Sequence, residues 1–138
     1  MSIDLFMEDE EGGALGEVLD PEDLTSRVVA LAGHSETTCL RFIHPEGNTV
    51  FNQFQIPTLI REFREAREQI TEQRLALLSR SELVSAREAS WSPSLLHALE
   101  VRALKTRSED VREHLEKLIE LAERARGKTH TYLKFYGD

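Results

Sequence analysis

The sequence predicts an α+β fold: a mostly antiparallel sheet of four or five strands with about four helices packed on one face. Three observations predict it. Runs rich in β-branched and aromatic residues lie at both ends of the chain and near its middle, over residues 2–7, 38–52 and 129–136. Between the last two runs, apolar residues recur at three- and four-residue steps. Glycine and proline punctuate the strand-like regions but are missing from 58–92, where a helix can run. The 138 residues are the size of one domain, 1–138.

Residues 2–7 alternate, with Ile3, Leu5 and Met7 on one face and Asp4 and Phe6 on the other, which reads as a strand. An acidic turn over 8–13 with two glycines leads to a short return strand at 15–19. Asp20 is placed as a helix N-cap with Pro21 at the first helical position. Leu24, Val28, Leu31 and Ala32 form that helix's buried stripe, and Gly33 ends it.

The central stretch is expected to be a hairpin. Residues 38–43 form its first strand, with Leu40 and Phe42 on one face. His44 to Asn48 form a turn, and 49–52 return. Pro57 then opens a helix whose apolar stripe is Ile56, Leu59, Ile60, Phe63, Ala66 and Ile70, extending to about Leu78. Ser79, Arg80 and Ser81 read as a break before a short helix. A connector holding Trp91 follows. Ser92 then caps a helix that starts at Pro93 and packs through Leu95, Leu96, Leu99 and Ala103. Ser108 caps a last helix, with Glu109 and Asp110 matched to its dipole and Val111, Leu115, Leu118, Ile119, Ala122 and Ala125 buried. The closing strand places Leu133 and Phe135 on one face and Tyr132, Lys134 and Tyr136 on the other. It is expected to join both the hairpin and the first strand.

Charge is segregated. Net charge is −8, and residues 1–23 hold nine acids and no base, leaving 16 acids against 17 bases in the remainder. Such an acidic end argues against direct nucleic-acid binding there and suits a basic protein partner. One cysteine, Cys39, excludes an internal disulfide and reads as a buried, inert thiol. No signal-peptide pattern and no apolar run near membrane-spanning length occurs, so a cytoplasmic protein without membrane contact is expected.

No nucleotide-binding, nucleophile-elbow or metal-ligand pattern is present, so no catalytic residue, metal or cofactor is expected. The five histidines are not spaced as ligands. His44 and His130 are the one pair that strand pairing would bring together for acid–base work. Glu8, Asp9, Glu10 and Glu11 lack the alternation of a calcium loop and read as solvated charge. Arg61, Arg64, Arg67 and Arg74 are interleaved with Glu62, Glu65, Glu68 and Glu72, which reads as intrahelical ion pairing rather than a phosphate-binding stripe. Trp91 reads equally as a core plug or an interface anchor.

The pattern Arg41-Phe42-Ile43-x-Pro45-x-Gly47-x-Thr49-Val50-Phe51-Asn52, with Gln55 and a helix after it, resembles a group of small bacterial cytosolic proteins. The closing Tyr132-Leu133-x-Phe135-x-Gly137-Asp138 shares that resemblance, which covers about a third of the chain. In their compact, acidic character these proteins are similar to immunity proteins encoded beside polymorphic toxins. The resemblance implies binding rather than chemistry: a non-enzymatic immunity or inhibitor protein that neutralises a cognate toxin, such as a basic nuclease. The expected contact residues are Glu8, Asp9, Glu10 and Glu11, the hairpin tip at Glu46 and Asn48, and Trp91. Two alternatives stand beside it: a helical adaptor or oligomerising module built on 57–128, and a small enzyme using His44 or His130.

Overall fold

The computed structural model describes residues 2–32, 37–105 and 107–137. Strands β1 (Ile3–Glu8), β2 (Ala14–Val18), β3 (Asn48–Phe51) and β4 (Tyr132–Gly137) form one antiparallel sheet in the order β2-β1-β4-β3. The helices are α1 (Leu24–Ala32), α2 (Ile56–Glu68), α3 (Glu72–Glu88), α4 (Pro93–Lys105) and α5 (Ser108–Ala125). The architecture is α+β, with five α-helices among the described residues where about four are expected from sequence. The expected stop of α1 at Gly33 and the loop 34–36, His34 included, lie outside the described residues, as does the side chain of Ala103.

The alternation in β1 and β4 decides which face of the sheet is covered. Ile3, Leu5, Met7, Leu133 and Phe135 are buried together with Phe51 of β3 and with Leu59, Phe63, Leu115 and Leu118 from α2 and α5. Phe135 is the hub, its ring 5.9 Å from Phe51 and 6.2 Å from Phe63. β4 sits between β1 and β3, as its aromatic content requires.

The expected central hairpin is not present. Residues 38–43 do not form a strand; Leu40–Phe42 is a 3₁₀ turn. The cause is Glu62 of α2, whose buried carboxylate accepts the N–H groups of Thr38, Cys39 and Leu40. Three successive N–H groups aimed at one point cannot alternate as a strand ladder requires. β3 therefore pairs only with β4. The turn that precedes it is as expected: Gly47 N–H donates to the His44 carbonyl.

The long helix breaks earlier than expected. It stops at Glu68, buries Ile70 in the gap and restarts at Glu72, where Thr71 accepts the Arg74 N–H as an N-cap. The expected break at Ser79, Arg80 and Ser81 lies inside the uninterrupted α3. Ser92 caps α4, accepting the Leu95 N–H. Ser108 does not cap α5: its hydroxyl and N–H both donate to Glu72, joining α5 to the start of α3. Asp20 does accept N–H groups at the start of α1, from Leu24 and Thr25, and also that of Ile3. Pro21 falls in the turn before the helix rather than at its first position, because Asp23 takes a positive φ there. Buried Arg27 donates to Glu82 at 2.7 Å and so ties α1 to α3.

His114 of α5 is buried, 2.8 Å from the Thr25 hydroxyl and 3.8 Å from the Asp20 carboxylate. Burial holds its pKa below the ordinary histidine value; the Asp20 carboxylate acts the other way, Lys117 acts with burial, and Asp4 acts with Asp20. A depressed folded pKa means that the unfolded chain takes the proton first. The stability from neutral His114 is therefore fully present above the unfolded pKa of about 6.5 and is lost as pH falls through the folded value. Urea midpoints measured from neutral to mildly acidic pH should fall more steeply for the native protein than for His114→Gln. Parallel lines would remove His114 as the cause.

Candidate functional site

The sheet face opposite the helices carries Asp4, Phe6 and Glu8 from β1, Glu17 from β2, Asn48 and Val50 from β3, and Tyr132, Lys134 and Tyr136 from β4. Its centre is aromatic. The Phe6 and Tyr136 rings meet edge to face, 5.3 Å apart. Glu8 lies on this open face yet is only 6% exposed. The Tyr136 hydroxyl donates to one of its oxygens at 2.6 Å, and Lys134 Nζ stands 3.2 Å from the other. The hydrogen bond to Glu8 is the main reason that the Tyr136 pKa is raised above that of a free phenol, with burial and the Glu8 charge adding to it.

The acidic turn between β1 and β2 is fixed by its own side chains. Asp9 Oδ1 accepts the N–H groups of Glu11 and Gly13, and Gly12 takes the positive φ that the turn needs. The Glu10 carboxylate contacts the His130 ring nitrogen Nδ1, just before β4, so the turn is anchored to the sheet end. His130 itself sits at positive φ. Between these elements is an open depression of about 450 Å³ walled by Asp9, Glu10, Val50, Tyr132 and Lys134. A second, of about 290 Å³, lies on the other side of Tyr132 and takes in Asn52, Phe54 and His130.

Phe54 is the side chain that composition does not single out. It is 81% exposed. Its backbone is nonetheless held tightly, because Asn52 and Gln55 form a reciprocal cap at the start of α2. Asn52 Oδ1 accepts the N–H groups of Phe54 and Gln55, and Gln55 Oε1 accepts the Asn52 N–H. The Asn52-x-x-Gln55 spacing is the signal in the sequence that finds it.

The structure divides the residues expected to bind a partner. Asp9 and Glu10 wall the depression, and Glu11 is exposed in the same turn. Glu8 is committed internally to Tyr136 and Lys134. Glu46 is exposed in the turn at the opposite end of β3, and Asn48 is exposed on that strand. Trp91, 43% exposed, lies in the connector between α3 and α4, on the helical side of the molecule. His44 and His130 do not meet: the β3–β4 register puts His44 beside Gly137 and His130 beyond Leu133, at opposite ends of the strand pair. The arginines of α2 are engaged, but mostly across to α5. Arg64 pairs with Glu123 and Arg67 with Glu116, while Arg61–Glu65 is the intrahelical pair. Cys39 is buried, and burial first and Glu62 second push its thiol pKa up, away from reactivity.

Among the described residues, no group of three His, Cys, Asp or Glu side chains is placed to hold a metal ion, and no helix is long and apolar enough to cross a membrane. Comparison with family models, with curated proteins and with solved structures gives no match.

Proposed function

We propose that this chain is a non-enzymatic binding protein of the inhibitor or immunity type, which covers a basic surface on a cognate protein toxin. The observation that carries the reading is Phe54: a largely exposed aromatic on a hydrogen-bonded turn, lining a depression that shares Tyr132 with the acid-walled one. Exposed aromatics of this kind anchor interfaces, and a charged rim steers the encounter. The segregation of nine acids in the first 23 residues supplies that rim.

The test is capture from the native host with tagged protein, washed at low and at high salt, in parallel with Phe54→Ala. The expected result is one stoichiometric basic partner with toxin activity that the native protein suppresses. Phe54→Ala should bind it about 30-fold more weakly. Its urea midpoint should be unchanged, because the side chain touches little of its own fold. Equal capture by the variant would sink the reading.

The adaptor reading has an observation of its own. Leu77, Val84 and Leu95 stand exposed with Trp91 on the α3–α4 hairpin. Leu77 and Val84 are seven residues apart and so share a helix face. Light scattering separates the two readings, since a self-associating module is not monomeric at micromolar concentration.

A further inference from the structure

We propose that β3 is a docking edge: an extended, basic segment of the partner adds to the sheet as a fifth strand alongside Asn48–Phe51. The inference rests on the protein-binding reading above and names the mode by which the partner is held.

The phase of the ladder is fixed by the Gly137 N–H, which donates to the Gly47 carbonyl at 3.0 Å. Alternation then turns the backbone groups of Thr49 and Phe51 toward β4 and those of Asn48 and Val50 outward. Among the described residues no backbone or side-chain group bonds to those outward N–H and C=O groups. Natural sheets guard such edges with lysine, proline, a bulge or a covering element. β3 reads Asn-Thr-Val-Phe and has none of the first three within it. It is blunted by its shortness and by the 40–42 turn beside it, whose Phe42 carbonyl accepts the Thr49 hydroxyl.

The other edge of the same sheet is guarded in part. Arg124 of α5 donates to the outward Leu15 carbonyl, Gly16 is so close to α5 that a Cβ there would lie 2.7 Å from Leu121 Cδ1, and the β1–β2 pairing carries a register shift. The two edges differ in degree: β2 has one outward carbonyl taken by α5 and a register shift, whereas β3 has neither.

Charge selects the occupant. Glu46 stands at one end of β3, and Asp9 and Glu10 wall the depression beside Val50 at the other. A strand with basic side chains on the open face would have Glu46 beside one end and, near the other, the acids that face Val50 across a depression also lined by Lys134. The strand's neighbour on that face is Val50, which is exposed and takes the alkyl stem of a basic side chain. A second copy of this chain, with its net charge of −8, is the poorer fit.

The probe is a blocked peptide of alternating lysine and valine, about seven residues long, enough to span the strand. Amide exchange and chemical shifts of the full chain are followed on titration. The expected result is protection of the Asn48 and Val50 amides by at least about tenfold at saturation. Binding should fall about tenfold or more for the same peptide N-methylated at alternate residues, which keeps charge and side chains but cannot join the ladder. Val50→Pro should weaken binding similarly, and it removes only an outward N–H, so the sheet is retained. The N-methylated peptide keeps the test valid even if that variant unfolds.

Absence of binding, equal binding of the N-methylated peptide, or protection that leaves Asn48 and Val50 unchanged would each overturn the inference. Shifts confined to Phe54 and Tyr132 would overturn the edge and leave the aromatic patch standing. Protection at Asn48 and Val50, with native capture by Phe54→Ala, would remove the patch and leave the edge.

Discussion

Glu62→Ala should destabilise the protein by about 3–5 kcal/mol, a large part of the roughly 5–15 kcal/mol that holds a domain of this size folded. Glu62 is 1% exposed. Its two oxygens accept the Thr38 N–H at 3.1 and 2.9 Å, the Cys39 N–H at 2.8 and 3.3 Å and the Leu40 N–H at 3.1 Å. Alanine removes every one of these acceptors and leaves a cavity beneath the 3₁₀ turn. A buried N–H without an acceptor costs about 1–3 kcal/mol, and bonds to a carboxylate are the stronger kind. Glu62→Gln keeps one acceptor oxygen and should lose less. Urea unfolding measures both. A second readout comes from Cys39, whose thiol pKa is raised in part by the Glu62 charge. In Glu62→Ala the thiol should react faster with a disulfide reagent as the turn loosens. A loss below about 1 kcal/mol with unchanged thiol reactivity would mean that the turn is held by something other than this carboxylate.

The same residue explains why the middle of the fold was hard to read. Thr38, Cys39, Leu40, Phe42 and Ile43 have strand propensity, and the propensity is overridden by an acceptor on a helix more than twenty residues later. Alternation in β1 and β4 and the three-and-four stripe of α5 were legible because each is a local period that one buried face enforces. The stop at Glu68 has no glycine or proline to mark it. Its signal is Thr71 before Glu72, and the continuing run of leucines obscured it. At the candidate site the acids were visible as composition, but their separate fates were not. Glu8 shares a face with Phe6 by strand parity, yet its burial depends on Tyr136 and Lys134 at the far end of the chain. Phe54 was hidden in a turn, where exposure depends on how the cap sets the backbone.

The four consecutive acids should therefore answer charge reversal very differently. Glu8→Lys should cost about 3–5 kcal/mol, as breaking a buried pair does. It sets a second ammonium beside Lys134 and leaves the Tyr136 hydroxyl without its acceptor. Glu11→Lys, at an exposed turn position, should change stability by less than about 0.5 kcal/mol. Glu10→Lys loses an exposed contact with His130, which is worth at most about 1 kcal/mol. Reversing all four together would destabilise the protein and confound a loss of recognition with a loss of fold, so the steering role of the acids has to be measured with Glu10 and Glu11 alone. In that double variant the association rate and its salt dependence should fall while dissociation stays close to native, the pattern of long-range attraction rather than contact. Glu8→Gln supplies the internal control. It keeps the shape of the side chain and removes its charge, and the Tyr136 phenol should then titrate closer to its ordinary value in an ultraviolet titration. If Glu8→Lys folded as stably as Glu11→Lys, the acidic turn would be a uniform solvated edge and the buried Glu8–Lys134–Tyr136 cluster would have no part in holding the open face.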